Sequence, residues 1–197
     1  VDPKDNSHFF VTSYGNGLFE FKNNSFSKWY NYLNSTIETI TVNPPAPFDY
    51  MRLDGAIYDK SGNLFMVNTQ QESAIKILMK DGKWEQLAYP DANQGTMGQL
   101  TISNQNPNQK WVQSVRNPTP GLLIFDDNGT ITKQSDDKSV FKTAFQYIET
   151  DNGQSKLVSI SPSFIYTIVQ DLNGVMWVGT DAGPFLFQNL SKVYDPD

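Results

Sequence analysis

The chain has 197 residues, of which 38% are hydrophobic and 13% aromatic, so it can bury a sizeable core. Its formal net charge of −6, without any run of lysine or arginine, argues against a nucleic-acid partner or an anionic membrane surface. The lack of cysteine excludes disulfides and thiolate sites, and no apolar stretch approaches the roughly 18 to 20 residues that span a bilayer.

A single histidine, His8, limits the catalytic chemistry open to the chain. A Ser-His-Asp triad needs a histidine base, and a multi-histidine metal site needs more than one imidazole. His8 precedes Phe9 and Phe10, so we expect it to be a half-exposed residue at the start of a strand. We predict no metal site, no cofactor and no catalytic residue.

Four segments of the chain resemble one another, namely residues 5–21, 61–78, 106–125 and 172–187. Each has a polar turn followed by a short strand in which a bulky residue precedes valine. These pairs are Phe10-Val11, Met66-Val67, Trp111-Val112 and Trp177-Val178. A variable loop and a second apolar strand follow in every copy. Such period-two patterns between Gly/Asn/Asp turns indicate antiparallel hairpins.

Further strands are predicted around these segments in chain order. After the second strand, the first three copies continue into FSKWY (26–30), KWEQL (83–87) and TITKQ (130–134). Before the first strand, the last three copies have GAIYD (55–59), QLTIS (99–103) and FIYTIVQD (164–171). The first copy therefore lacks an upstream strand, and the last lacks a final one.

An additional hairpin, FKTAFQYIET (141–150) and QSKLVSI (154–160), is predicted between the third and fourth copies. Val140 to Ile148 could also be read with helical spacing. The Asp-Asn-Gly turn and the β-branched and aromatic flanks favour strands.

Four short strands recurring along the chain are typical of β-propeller blades. We therefore predict an all-β fold, a propeller-type array of about four four-stranded antiparallel blades. Residues 1–197 would form a single module cut from a longer protein, either a closed four-bladed ring or part of a larger one. The bulky residues before valine are expected to fill the space between blades. In a larger ring, the exposed terminal blades would be prone to self-association.

Three acidic turns superficially resemble calcium loops: residues 59–63, 126–129 and 171–174. An EF-hand loop has glycine at its sixth position and a bidentate acid at its twelfth. Here glycine is the fourth residue, and the twelfth positions are Gln70, Asp137 and Ala182. We interpret these segments as tight turns in which Asp and Asn side chains bond to the backbone and glycine supplies positive φ.

The loops after the valine-containing strands carry the candidate contact residues. If the repeats are blades, these loops emerge on one face of the ring, and such faces commonly bind ligands or partners. The side chains most able to stack or hydrogen-bond there are Tyr14, Gln70, Arg116 and Asp181.

The stretch DLNGVMWVGT (171–180) resembles the two-component-regulator propeller repeats of Bacteroidetes sensor proteins. Further stretches are similar to the PorZ-type proteins of type IX secretion, namely SYGNGLFEFKNN (13–24), NST (34–36), DKSGNLFMVN (59–68), KDGKW (80–84) and WVGTDAGPFLFQN (177–189). Gly183-Pro184 stands where sensor repeats usually have Gly-Leu. The third copy departs from the pattern, since NQNPNQ (104–109) replaces the Asp-x-x-Gly turn.

The PorZ-type resemblance implies an N-terminal propeller region in a protein with two large propellers and a C-terminal β-domain. Proteins of this type lie at the outer surface of the outer membrane, with the sortase machinery that attaches anionic lipopolysaccharide to cargo. The chain is then expected in the bacterial cell envelope, at the outer-membrane surface or in the periplasm.

We predict a non-enzymatic module that binds protein partners or a glycan of lipopolysaccharide type in type IX secretion and cargo attachment. The alternative is the periplasmic glycan-sensing region of a hybrid two-component system. A third option is a polysaccharide-cleaving propeller enzyme. The single histidine disfavours it, although carboxylates alone could suffice for such chemistry.

Overall fold

The computed structural model describes residues 1–40, 50–92, 95–116 and 119–195. Within them the chain forms sixteen antiparallel β-strands and two short 3₁₀ segments, Gln134–Asp136 and Leu190–Tyr194. Fourteen of the strands group into four units, each built from consecutive strands that pair with their neighbours in sequence, and the other two form a separate hairpin. The predicted all-β, propeller-type array is therefore confirmed.

Unit 1 comprises β1 (Phe9–Gly15), β2 (Gly17–Lys22) and β3 (Ser25–Tyr30). Unit 2 comprises β4 (Met51–Tyr58), β5 (Leu64–Asn68), β6 (Ile75–Leu78) and β7 (Trp84–Leu87). The two units share one seven-stranded sheet, because the start of β4 pairs with the end of β1 through Tyr14–Arg52 and Gly15–Met51.

Unit 3 comprises β8 (Met97–Ile102), β9 (Gln109–Ser114), β10 (Gly121–Asp126) and β11 (Lys138–Lys142). A separate hairpin follows, formed by β12 (Phe145–Asp151) and β13 (Gln154–Ile160). Unit 4 comprises β14 (Ile165–Gln170), β15 (Met176–Thr180) and β16 (Gly183–Phe187). Units 2 and 3 have four strands, whereas units 1 and 4 have three in the described residues, which confirms the missing first and last strands.

The fourth strand of unit 3 is not the predicted TITKQ. Residues 130–134 form successive turns, in which Thr130 N–H donates to Asp127 O at 2.8 Å and Lys133 N–H donates to Thr130 O at 2.8 Å. The strand is instead β11, which pairs with β10 and packs Val140 and Phe141 against different cores. The β12–β13 hairpin confirms the strand interpretation of that region and excludes the helical one.

Three hydrophobic cores lie at the seams between units. Leu18, Met51, Leu53 and Met66 belong to the core between units 1 and 2. The core between units 2 and 3 includes Phe65, Val67, Met97, Leu100, Val112 and Leu123. The core between units 3 and 4 includes Trp111, Leu122, Ile165, Ile168, Met176 and Val178. Because side chains alternate along a strand, each central unit contributes to both of its seams.

The bulky residues before valine occupy these seams in three units. Met66 and Trp111 are fully buried, and Phe10 packs against the core between units 1 and 2. Trp177 differs from the prediction, since it lies on the opposite face of β15 from the buried Val178 and is 38% exposed. No unit covers that face within the described residues. Its indole Nε1 instead donates to Asp171 Oδ2 at 2.9 Å.

Candidate functional site

The loops that follow the valine-containing strands leave the four units at equivalent positions. At the end of β1, Gly15 pairs with Met51 of the next unit. After β5, Thr69 N–H donates to Arg52 O at 3.0 Å within its own unit, and Thr69 Oγ1 donates to Met97 O of unit 3 at 2.7 Å. In both places the end of the valine-containing strand, β1 or β5, bonds to the first strand of the following unit.

The same connection recurs in the second half of the chain. Val115 N–H donates to Thr96 O at 3.0 Å, and Val115 O accepts a hydrogen bond of 2.8 Å from Ile165 N–H of unit 4. In unit 4, Asp181 N–H donates to Phe164 O at 3.3 Å. The structure therefore places all four candidate residues, Tyr14, Gln70, Arg116 and Asp181, beside equivalent strand ends.

Tyr14 and Gln70 are brought together by Arg52, a residue that the sequence analysis missed. Arg52 Nη1 donates to Gln70 Oε1 at 2.7 Å. The guanidinium carbon lies 5.0 Å from the ring centroid of Tyr14 and 4.9 Å from that of Tyr50. Arginine between two tyrosine rings is held by cation–π attraction and by its fork of donors.

This cluster of Tyr14, Tyr50, Arg52 and Gln70, here called the Arg52 cluster, remains open to a partner. Tyr14 is 53% exposed, and Gln70 is exposed and has a positive φ of 65°. Arg52 Nε is buried and has no hydrogen-bond partner among the described residues. The cluster thus offers an aromatic surface next to a fixed positive charge.

Arg116 and Asp181 are not part of the Arg52 cluster. Arg116 is exposed, and its backbone O accepts a hydrogen bond of 2.8 Å from Thr96 Oγ1. The Asp181 carboxylate accepts hydrogen bonds of 3.0 Å from the N–H groups of Ser163 and Phe164. Asp181 therefore fixes the backbone at the start of β14. Residues 117–118, which follow Arg116, lie outside the described part of the chain.

His8 is more buried than expected, with 19% of its side chain exposed. Its Nε2 lies 2.8 Å from Glu20 Oε1, and its Nδ1 lies 3.2 Å from Asp2 Oδ2. Lys22 Nζ is 3.0 Å from the same Glu20 oxygen, and Tyr30 donates to the other at 3.2 Å. Burial opposes ionisation of Glu20, but the hydrogen bonds from Lys22 and His8 outweigh it and lower the pKa of its carboxyl.

The acidic segments that resemble calcium loops form tight turns, as predicted. Asp59 Oδ1 accepts from Asn63 N–H at 2.7 Å, and Gly62 has a φ of 92°. Asp171 Oδ1 accepts from Asn173 N–H at 2.9 Å, and Gly174 has a φ of 85°. The Trp177 indole, together with these backbone donors, lowers the pKa of Asp171. The described ranges contain no group of three or more potential metal-ligating side chains.

No helix in the described part of the chain has the length and hydrophobicity that a membrane-spanning helix needs.

Comparison with known proteins shows similarity to a solved structure. No protein-family model matches the chain, and no curated protein matches it. Among solved structures, it is similar to PorZ of Porphyromonas gingivalis, described as an essential bacterial surface component of the type IX secretion system. The match covers 100% of this chain with 30% identity and a TM-score of 0.81, and it spans 25% of the PorZ chain. The chain thus has a PorZ-like fold, whereas no family model supports the two-component-regulator repeats.

Proposed function

We propose that the chain is a propeller module of a cell-surface protein that serves type IX secretion. The observation that carries this proposal is the similarity to PorZ over the whole chain, with 30% identity and a TM-score of 0.81. PorZ itself is a surface component of that secretion system. Because this chain spans a quarter of PorZ, the role belongs to the longer protein, and the module contributes part of it.

The module's contribution is non-enzymatic binding of a protein partner or a glycan on the face that carries the loops. The Arg52 cluster supports this assignment, because tyrosine and arginine are the side chains that most often anchor interfaces. Arg52 is already held by Gln70 and two tyrosine rings, so little conformational entropy is lost when a partner binds.

The rest of the face supports binding more than catalysis. The Asp181 carboxylate is engaged by backbone N–H groups, and Arg116 supplies guanidinium donors. Tyr14 and Gln70 supply stacking and hydrogen-bonding surface. Together the four candidate residues form a set suited to recognition, with phenol, amide, guanidinium and carboxylate groups spread over successive units.

The test of the secretion role uses the bacterium that encodes the protein. We expect cells that carry a Tyr14→Ala/Arg52→Ala variant of the full-length protein to accumulate unprocessed cargo. The amount of cargo attached to their surface should fall. Lys156→Ala, which removes an exposed cation from the β12–β13 hairpin, is the matched control. Immunoblots would measure cargo and variant levels. Normal cargo secretion after deletion of the whole gene would overturn the proposed function.

The class of partner is tested with the purified chain. Immobilised wild-type protein and the Tyr14→Ala/Arg52→Ala variant would be incubated with envelope extracts that have been treated with protease or with periodate. Loss of capture after protease assigns a protein partner, and loss after periodate assigns a glycan. Equal capture by wild type and variant would show that the face does not bind.

A further inference from the structure

A cleft at the outer end of the seam between units 1 and 2 lies apart from the loop-bearing face. Its cavity measures about 510 Å³ and is lined by Asp2, Pro3, Lys4, Tyr58, Asp59, Lys60, Gly62 and Lys80. A second cavity of about 270 Å³ shares Asp2, Tyr58, Gly62 and Lys80 with it and extends toward Glu20 and Tyr30. The two cavities are therefore adjacent, and together they are called the cleft.

The two acidic residues in the larger cavity are already occupied by internal donors. Asp2 Oδ1 accepts from Lys4 N–H at 2.9 Å, and its Oδ2 contacts His8 Nδ1 at 3.2 Å. Asp59 accepts from the backbone N–H of Asn63 at 2.7 Å and from its side-chain amide at 2.8 Å. Neither carboxylate forms an ion pair with a lysine of the cleft.

Three lysines, Lys4, Lys60 and Lys80, line this cavity. Across the described residues, none of the three forms an ion pair within 4.0 Å, which is also true of Lys28, Lys138, Lys156 and Lys192. With Asp2 and Asp59 in the same lining, the cavity has three positive and two negative side chains, a net charge of +1 in a chain whose net charge is −6. Ammonium groups gathered in a cleft attract an anion by their combined field.

The lysine-bearing turns are cross-linked, so the cleft is built before any ligand arrives. Asn63 is 7% exposed and bonds to Asp59 on one turn, while its Oδ1 accepts from Lys80 N–H on the other at 3.0 Å. The stem of Lys80 lies beside Gly62, where an added Cβ would meet its Cδ at 3.6 Å. Lys60 and Lys80 are thereby presented on two turns of fixed geometry.

Tyr58 forms the wall between the two cavities. Its ring packs edge-on against Phe10, with centroids 6.2 Å apart. Burial, together with the charges of Asp2 and Glu20, raises the pKa of Tyr58 to about 12. The hydroxyl therefore stays protonated at neutral pH and is available as a neutral hydrogen-bond donor.

We propose that this cleft, at the seam between units 1 and 2, binds a phosphate monoester. Lys4, Lys60, Lys80 and the Tyr58 hydroxyl contact the phosphoryl oxygens, and the Tyr58 ring and Pro3 contact the organic part. A doubly charged group with several acceptor oxygens matches three ammonium donors better than a carboxylate does. The site is separate from the Arg52 cluster, and its occupancy does not depend on the secretion role.

The test is a titration of the 197-residue chain with phenyl phosphate and, separately, with inorganic phosphate. Amide NMR shifts monitor binding, and chloride keeps the ionic strength constant. We expect shifts at residues 58–63 and 80–82 that saturate, with phenyl phosphate binding more tightly than inorganic phosphate. Lys60→Gln/Lys80→Gln should weaken binding about tenfold or more.

Two controls keep the proposal falsifiable. Lys156→Gln removes an exposed cation on the hairpin and should leave the affinity unchanged. Tyr58→Phe should weaken binding of both probes, with the fold checked by circular dichroism. Shifts that do not saturate, or a loss of affinity in Lys156→Gln equal to that in the double variant, would overturn the site and leave only general charge attraction.

Discussion

The side chain of Gln99 pairs with the backbone of Ile168 across the seam between units 3 and 4. Its Nε2 donates to Ile168 O at 2.9 Å, and its Oε1 accepts from Ile168 N–H at 3.1 Å. One amide thus satisfies both backbone groups of a residue on the innermost strand of the next unit. The Gln99 side chain thus links β8 to β14, although these two strands are not hydrogen-bonded neighbours in a sheet.

We predict that Gln99→Ala lowers the free energy of unfolding by about 1 to 3 kcal/mol, because Ile168 N–H would lose its Gln99 partner at a buried seam. Ile168 O would keep the hydrogen bond of 3.2 Å from Thr101 Oγ1. Urea unfolding followed by tryptophan fluorescence would measure the change. Gln146→Ala, on the exposed side of the hairpin, is the matched control and should be neutral. Equal midpoints for the two variants would contradict the role of Gln99.

The buried ion pair of Lys110 and Asp127 gives a second stability prediction. Both side chains are 2% exposed, and Lys110 Nζ also lies 4.8 Å from the ring centroid of Phe65. Removing one partner leaves an uncompensated charge in the interior, so Asp127→Asn should cost about 3 to 5 kcal/mol. Lys110→Met/Asp127→Asn should cost less than Asp127→Asn alone. A double-mutant cycle by chemical denaturation would measure this, and additive losses would contradict a coupled pair.

Most strands were predictable because their signals are local. Short apolar-rich runs between Asp/Asn/Gly turns identify β5, β6, β10 and β15 without knowledge of the rest of the chain. The fourth strand of unit 3 was not predictable in this way, since TITKQ and the later KSVFK have similar β propensity. Packing at the seams distinguishes the two segments, because KSVFK contributes Val140 and Phe141 to two different cores, whereas TITKQ contributes Ile131 to one. That information is absent from either segment alone.

The candidate site likewise has residues that the sequence predicts and one that it does not. Equivalent positions for Tyr14, Gln70, Arg116 and Asp181 follow from the repeat, since each lies at the end of the same strand in its unit. Arg52 was missed because it lies in β4, upstream of the repeated motif. It reaches Tyr14 through the β1–β4 pairing, a long-range contact that no periodicity in the sequence predicts.

Alkaline titration tests the buried tyrosines. Burial is the main cause that raises the pKa of Tyr30, Tyr58 and Tyr194 to about 12, and it also raises that of Tyr89. In the unfolded chain these groups ionise near the ordinary tyrosine pKa of about 10. Their contribution to stability is therefore complete below pH 10 and is lost as pH rises toward 12.

We expect tyrosinate absorbance at 295 nm to rise in two stages, with the late stage coinciding with loss of β-sheet circular dichroism. Tyr58→Phe should reduce the late stage. A single early stage that includes all nine tyrosines would contradict the burial of this group.

Self-association through the terminal units is the last prediction. On the outer face of unit 4, Val169, Trp177 and Leu186 are 54%, 38% and 46% exposed, and on unit 1 Val11 and Trp29 are 45% and 43% exposed. Apolar faces of this kind are buried between neighbouring units elsewhere in the array, so we expect isolated chains to associate through them at high concentration. Trp177→Lys should shift sedimentation velocity profiles toward monomer, because a lysine on that face must be desolvated when a second face packs on it. Leu172→Lys changes an apolar residue that is fully exposed in the turn before β15, and it should leave the profile unchanged. A wild-type chain that stays monomeric at every concentration would show that these faces do not drive association.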